Sequence, residues 1–168
     1  MRLHLASDHA GFDLKTHLVR WLRERGHEVV DHGPPAYDPV DDYPTYCLRA
    51  AEAVAADRTA GTAALGVVLG GSGNGEQIAA NKVAGVRAAL AWSTETAELA
   101  RRHNDANVVA VGARMHDTET AIGFVEVFIF TPYSAEERHS RRIAMLRRYE
   151  ETGELPALPA PSSGAGER

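Results

Sequence analysis

Glu76 ends a turn that holds four glycines in six residues, Gly70-Gly71-Ser72-Gly73-Asn74-Gly75. The surrounding stretch, GVVLGGSGNGEQIAANK (66–82), opens as a strand and closes as a helix. Gly-rich turns in that setting usually cradle a phosphate. A carboxylate in the turn would repel one. The pattern also lacks the Lys and hydroxyl of G-x-x-x-x-G-K-[ST], and G-x-G-x-x-G would need a glycine where Glu76 stands. The backbone N–H groups still favour negative charge. If that charge develops only during a reaction, the turn is an oxyanion hole, and Glu76 is a general base beside it. The pair suits proton abstraction next to a carbonyl, with the N–H groups holding the enolate. Spacing alone equally allows a plain helix start, with Glu76 as a first-turn acid favoured by the helix dipole.

The elements that would position this turn are legible. Five short apolar segments read as buried strands: RLHLA (2–6), EVVDH (28–32), GVVLG (66–70), RAALA (87–91) and VVAVG (108–112). Helical patterns lie between them. FDLKTHLVRWLRERG places Leu14, Leu18, Trp21 and Leu22 on one face, and STETAELARRHN starts on Ser93 as N-cap. Strands alternating with helices predict an α/β fold, a parallel sheet covered on both faces as a three-layer sandwich. Ligands in such sheets sit beyond the carboxyl ends of the strands. The residues there are Ser7-Asp8-His9, Gly33, Gly71 to Glu76, Trp92-Ser93 and Arg114-Met115-His116. Two helices follow, in DTETAIGFVEVFIF and SAEERHSRRIAMLRRYEE. The second sets Ile143, Met145 and Leu146 among many charges, so it is expected to pack only partly on its own domain.

The chain has 168 residues and a net charge of -5. That length suits one domain, taken as residues 1–150. The Pro/Gly/Ser/Ala-rich tail, 151–168, is expected to be disordered. The acidic balance and the lack of a basic stripe argue against nucleic-acid binding. Cys47 is the single cysteine, so no intrachain disulfide or Cys-based metal site forms. The histidines show no HExxH spacing. No metal or cofactor is expected. MRLHLASDHAG has too short an apolar run for a signal peptide, and no later stretch has membrane-spanning length. A cytoplasmic protein is the expectation.

Five motifs in order, SDHAG (7–11), DDYP (41–44), GSGNGEQIAANK (71–82), RRHNDANVVAVGAR (101–114) and ERHSRRI (137–143), resemble the type B ribose-5-phosphate isomerase family. Its relatives include galactose- and allose-6-phosphate isomerases. The resemblance covers roughly residues 1–150. It implies a Rossmann-like five-stranded parallel sheet and a homodimer with active sites between the subunits, with a tetramer as a further possibility. The implied reaction is metal-independent interconversion of ribose 5-phosphate and ribulose 5-phosphate through an enediolate, a step of the pentose phosphate pathway. Many members carry a cysteine base directly after the third strand, in a C-G-T-G pattern. Here that position is Gly70, and Cys47 sits in another helix. The sequence resembles instead the actinobacterial branch, whose base is a glutamate in GNGE.

That resemblance implies a role for each residue. Glu76 is the general base between C2 and C1. Gly71, Gly73, Asn74 and Gly75 supply N–H groups to the enediolate oxygen. Ser72 can pass a proton between O1 and O2, or be a small turn residue. His103 is the ring-opening acid, or an exposed helix-end histidine favoured by the dipole. Asn104 binds substrate or caps its helix. Asp8 binds sugar hydroxyls or caps the helix after it. His9, Arg114, Arg138, His139 and Arg142 are the phosphate candidates, those of the late helix either reaching the other subunit's site or forming a solvated face paired with Glu136 and Glu137. Tyr43 lines the sugar pocket or packs. Two alternatives stay open at this level. One is the same chemistry on a six-carbon sugar phosphate, and the other is a non-catalytic phosphate-ligand-binding module.

Overall fold

The computed structural model describes residues 1–159. Strand β1 (Arg2–Ser7) leads to helix α1 (Phe12–Glu24), and β2 (Glu28–Asp31) to α2 (Tyr43–Thr59). Then come β3 (Ala64–Gly70), α3 (Asn74–Ala80), β4 (Ala88–Ala91) and α4 (Thr94–Asn104). The described part closes with β5 (Val108–Gly112), α5 (Thr118–Phe130) and α6 (Glu137–Thr152). The five strands form one parallel sheet in the order β2-β1-β3-β5-β4, the α/β architecture the alternation predicts.

Each sheet face buries its own core. On one face Leu14, Leu18 and Leu22 of α1 pack with Ala97 of α4, with Phe124 and Phe128 of α5, and with Leu3, Leu5, Val67 and Val109 of the strands. On the other, Cys47, Ala51 and Val54 of α2 and Ala79 and Ala80 of α3 cover Ala6, Val68 and Ala110. Strand residues alternate between these cores, so β3 and β5 are buried along their whole length. This is why they read as unbroken apolar runs.

The sheet order reverses between β1 and β3. β2 lies to one side of β1, while β3, β5 and β4 lie to the other. The crevice beyond the carboxyl ends of those two strands is the ligand position in such sheets. Asp8 follows one strand and the Gly-rich turn follows the other.

Some boundaries differ from the sequence reading. β3 begins at Ala64 and extends the buried run. Helix α6 starts at Glu137 rather than Ser134, because Ala135 takes a φ of 53°. It runs to Thr152, two residues past the expected domain end, and closes on Gly153 at φ 72°. Only His139 and Ile143 of α6 are buried, and Leu146 and Tyr149 are exposed. Of the tail, residues 160–168 lie outside the described residues.

Candidate active site

Glu76 sits in the first turn of α3, and the preceding residues explain its placement. Gly73, the N-cap, has φ 82°, a conformation that a residue with Cβ resists. A Cβ there would also lie 2.6 Å from Leu90 Cδ1 and 3.1 Å from the Gly112 nitrogen. Gly73→Ala should therefore cost roughly 1–3 kcal/mol, read from urea midpoints. An unchanged midpoint would mean that the turn is softer than its geometry implies.

The chain doubles back so tightly that the Glu76 carboxyl lies over Gly70. A Cβ on Gly70 would fall 1.8 Å from Glu76 Oε1 and 2.1 Å from Cδ. The carboxyl thus fills the space a side chain at position 70 would use, where the cysteine pattern of the resembling family would put a thiol. Glu76 is only 4% exposed. Burial raises its pKa above the usual carboxylate range, and the nearby Asp8 charge adds to this while the Glu76 backbone N–H opposes it. A carboxylate with this poise is more basic than one in water. Cys47 is buried in α2, and burial first, then Glu76 and Asp8, push its thiol far up. It stays a protonated thiol at neutral pH.

The rest of the carboxyl-edge set gathers around this turn. Asp8 is buried and its Oδ1 accepts the N–H groups of Ala10 (2.9 Å) and Gly11 (3.2 Å). It therefore caps the turn into α1 with one oxygen. The Tyr43 ring lies against Gly75, its Cζ 2.7 Å from where a side chain there would start. Arg114 lies beside Gly71, which accepts its backbone N–H at 3.1 Å. Ser72 Oγ is 3.2 Å from Asn74 Nδ2 and 3.4 Å from the Asn74 nitrogen, so the Asn74 N–H already leans on Ser72. His9 is anchored by Asp41, which sequence reasoning did not single out although DDYP contains it.

His103, Asn104, Arg138, His139 and Arg142 are not in this group. Helix α4 starts at the carboxyl edge and returns to the amino edge, about 16 Å for its 11 residues. Its end feeds Asn107, whose carbonyl accepts the Gly66 N–H at the other end of β3 from Gly70. There Asn104 Nδ2 reaches the Leu99 carbonyl at 3.4 Å, a weak helix-end cap. Helix α6 crosses this same edge. His139 meets the His103 ring with centroids 4.2 Å apart, and its Nδ1 is 3.0 Å from Ser134 Oγ. Burial, then His103 and Arg138, lower the His139 pKa, with Glu136 opposing and Arg142 adding. The ring is buried and braced against His103 and Ser134. Arg138 pairs with Glu136 at 3.0 Å. Among the described residues neither Arg114 nor Arg142 enters an ion pair. A cleft of about 800 Å³ opens between α2, the loop before β4 and α6. It too lies at the amino edge and holds none of the turn residues.

The chain thus carries a buried carboxyl and a Gly-rich turn at one edge of the sheet, and two histidines with arginines at the other. It matches the family described as Ribose/Galactose Isomerase over residues 3–146, and it belongs to that family. It is 52% identical over 159 residues to ribose-5-phosphate isomerase B of Mycolicibacterium paratuberculosis, covering 95% of this chain and 98% of that protein. Against ribose-5-phosphate isomerase B of Escherichia coli K12 the identity is 37%, over 89% of this chain and 97% of that one. The crystal structure of ribose-5-phosphate isomerase B from Mycoplasma genitalium with bound ribulose-5-phosphate superposes with a TM-score of 0.84. That match has 37% identity and covers 90% of this chain and 97% of that one. The Clostridium thermocellum enzyme also gives 0.84, at 34% identity, over 92% and 100% of the two chains. No helix among the described residues is long and apolar enough to cross a membrane.

Proposed function

We infer that this chain is an aldose–ketose isomerase that interconverts ribose 5-phosphate and ribulose 5-phosphate. The observation that carries the reading is the Glu76 carboxylate, buried over Gly70 beside a turn of backbone N–H groups. Glu76 takes the proton from C2 of the open-chain aldose. The electrons of that bond form the C1–C2 double bond, and the carbonyl oxygen becomes the enediolate oxygen, held by the N–H groups of the turn. Glu76 then returns its proton to C1. The proton of the C2 hydroxyl passes to O1, with Ser72 as the relay, since a hydroxyl both donates and accepts.

Ring opening needs an acid at the ring oxygen. In this reading it is His103, with Asp8 and Asn104 on the sugar hydroxyls and Tyr43 along the pocket wall. The two halves of the site lie at opposite edges of one chain's sheet. The reading therefore takes the enzyme to be a cytoplasmic homodimer that needs no metal, in which a second copy brings His103, Asn104, Arg138 and Arg142 over the first copy's Glu76. An α6 with exposed Met145, Leu146 and Tyr149 supports this, because such a helix has apolar surface to spare. The sugar phosphate then rests between His9 and Arg114 of one copy and the arginines of the other.

The test of the activity is conversion of ribose 5-phosphate to ribulose 5-phosphate by the purified protein in the presence of a chelator, beside allose 6-phosphate. Pentose turnover is expected, and its absence would overturn the reading. Arg142→Ala should raise KM about 10- to 100-fold, the worth of a charge-assisted hydrogen bond, with kcat little changed. An unchanged KM would remove Arg142 from the phosphate site.

A further inference from the structure

The side chain of Asp41 is 4% exposed. It lies in the loop between β2 and α2, two residues before Tyr43. Its Oδ1 serves two groups of one residue: it accepts the His9 backbone N–H at 2.8 Å and lies 2.8 Å from His9 Nδ1. Its Oδ2 is buried with no hydrogen-bond partner. Burying a carboxylate is costly unless it is paired and hydrogen-bonded. Here the pairing goes to one half-buried imidazole at the carboxyl edge of β1. Tyr37 meets that ring edge-on, with centroids 6.5 Å apart.

A carboxylate only accepts hydrogen bonds, so the proton between it and the ring belongs to Nδ1. Which ring nitrogen is free for a ligand is set by the bond the other one makes. The backbone bond ties the main chain at His9 to the same oxygen, so ring and main chain are located together.

We propose that Asp41 is a positioning residue that fixes His9 as the Nδ1–H form and leaves Nε2 as the atom that meets the sugar phosphate. A sugar hydroxyl can donate to Nε2 while the ring is neutral, and a phosphate oxygen can accept from it once the ring is protonated. The proposal rests on the isomerase reading for its substrate and on geometry alone for its tautomer.

The experiment reads both. Nitrogen-15 spectra of the His9 ring are recorded on the full chain without substrate, for wild type, Asp41→Ala and Asp41→Asn. The kinetics with ribose 5-phosphate are measured in parallel. Wild type should show a single Nδ1–H form. Asp41→Ala should shift the ring toward Nε2–H and raise KM about tenfold, with kcat within about threefold of wild type. Asp41→Asn keeps an accepting oxygen and should restore Nδ1–H and most of the affinity. In a double-mutant cycle, the effect of Asp41→Ala on KM should vanish in a His9→Ala background. An Nε2–H ring in the wild type overturns the proposal without any variant having to fold. An undiminished Asp41→Ala effect in the His9→Ala background overturns it as well. Absence of turnover by wild type would instead defeat the isomerase reading, while the spectra still decide the part played by Asp41.

Discussion

Glu76→Gln should lower kcat for ribose 5-phosphate by about 10²- to 10⁴-fold, the usual worth of a positioned general base. KM should stay within about threefold, because the amide keeps the shape of the carboxyl over Gly70. Near-wild-type turnover would remove Glu76 from the chemistry. The same variant carries a second, opposite signature. Burial holds the folded-state pKa of Glu76 above its unfolded value, with Asp8 adding to it. Stability from a group shifted this way is fully present below the unfolded pKa and is lost as pH rises through the folded one. At neutral pH the ionised Glu76 therefore costs stability, and Glu76→Gln relieves the cost. The variant should be more resistant to urea than wild type at pH 7, with the gap closing near pH 4, around the ordinary carboxylate pKa. For the same reason the acid limb of kcat/KM should fall at a pH above the ordinary carboxylate range. A variant less stable than wild type at pH 7 would mean that the buried carboxylate is held by compensating bonds.

Lys15→Met should destabilise the fold by about 3 kcal/mol, the low end for removing one partner of a buried ion pair. The Lys15 side chain is 2% exposed and that of Asp31 32%. Its Nζ donates to both Asp31 oxygens at 2.7 Å and to the Pro34 carbonyl at 2.9 Å. All three ammonium protons are used. Methionine fills the volume, yet it leaves Asp31 with only the Gly33 N–H and the Pro34 carbonyl without its donor. Asp31 keeps some water, which sets the low end. This pair also anchors the start of the loop that carries Tyr37 and Asp41, so activity should fall with stability. Denaturant titration checks the first effect, and a loss under about 1 kcal/mol would contradict this account of the pair.

Much of this was legible in the sequence for one physical reason. Strands buried on both faces are largely apolar, and β3 and β5 announce themselves that way, with β1 close behind despite its buried His4 and Ser7. The carboxyl-edge residues followed directly, because parallel strands all point the same way. Lys15 escaped notice because charge between Leu14 and Leu18 normally marks a solvated face, and only the structure shows a carboxylate and a carbonyl waiting inside. Asp41 escaped because an acid in a Pro-rich loop gives no periodic signal. The separation of His103 from Glu76 could have been read. A helix joining parallel strands must run back to the amino edge, so residues just before β5 cannot reach the turn after β3 in the same chain. The start of α6 was misplaced because the positive φ of Ala135 has no signature in an alanine.

The central claim is that Glu76 of one copy works with His103 of another. Mixing two inactive variants, Glu76→Gln and His103→Ala, tests it directly. Exchange of subunits, followed by mass spectrometry of the intact dimers, would yield mixed dimers in which one site carries both changes and the other carries neither. Activity should then rise from the background of either variant to about a quarter of wild type at equal mixing. Mixed dimers that form and stay at the background would contradict a site shared between Glu76 of one copy and His103 of the other.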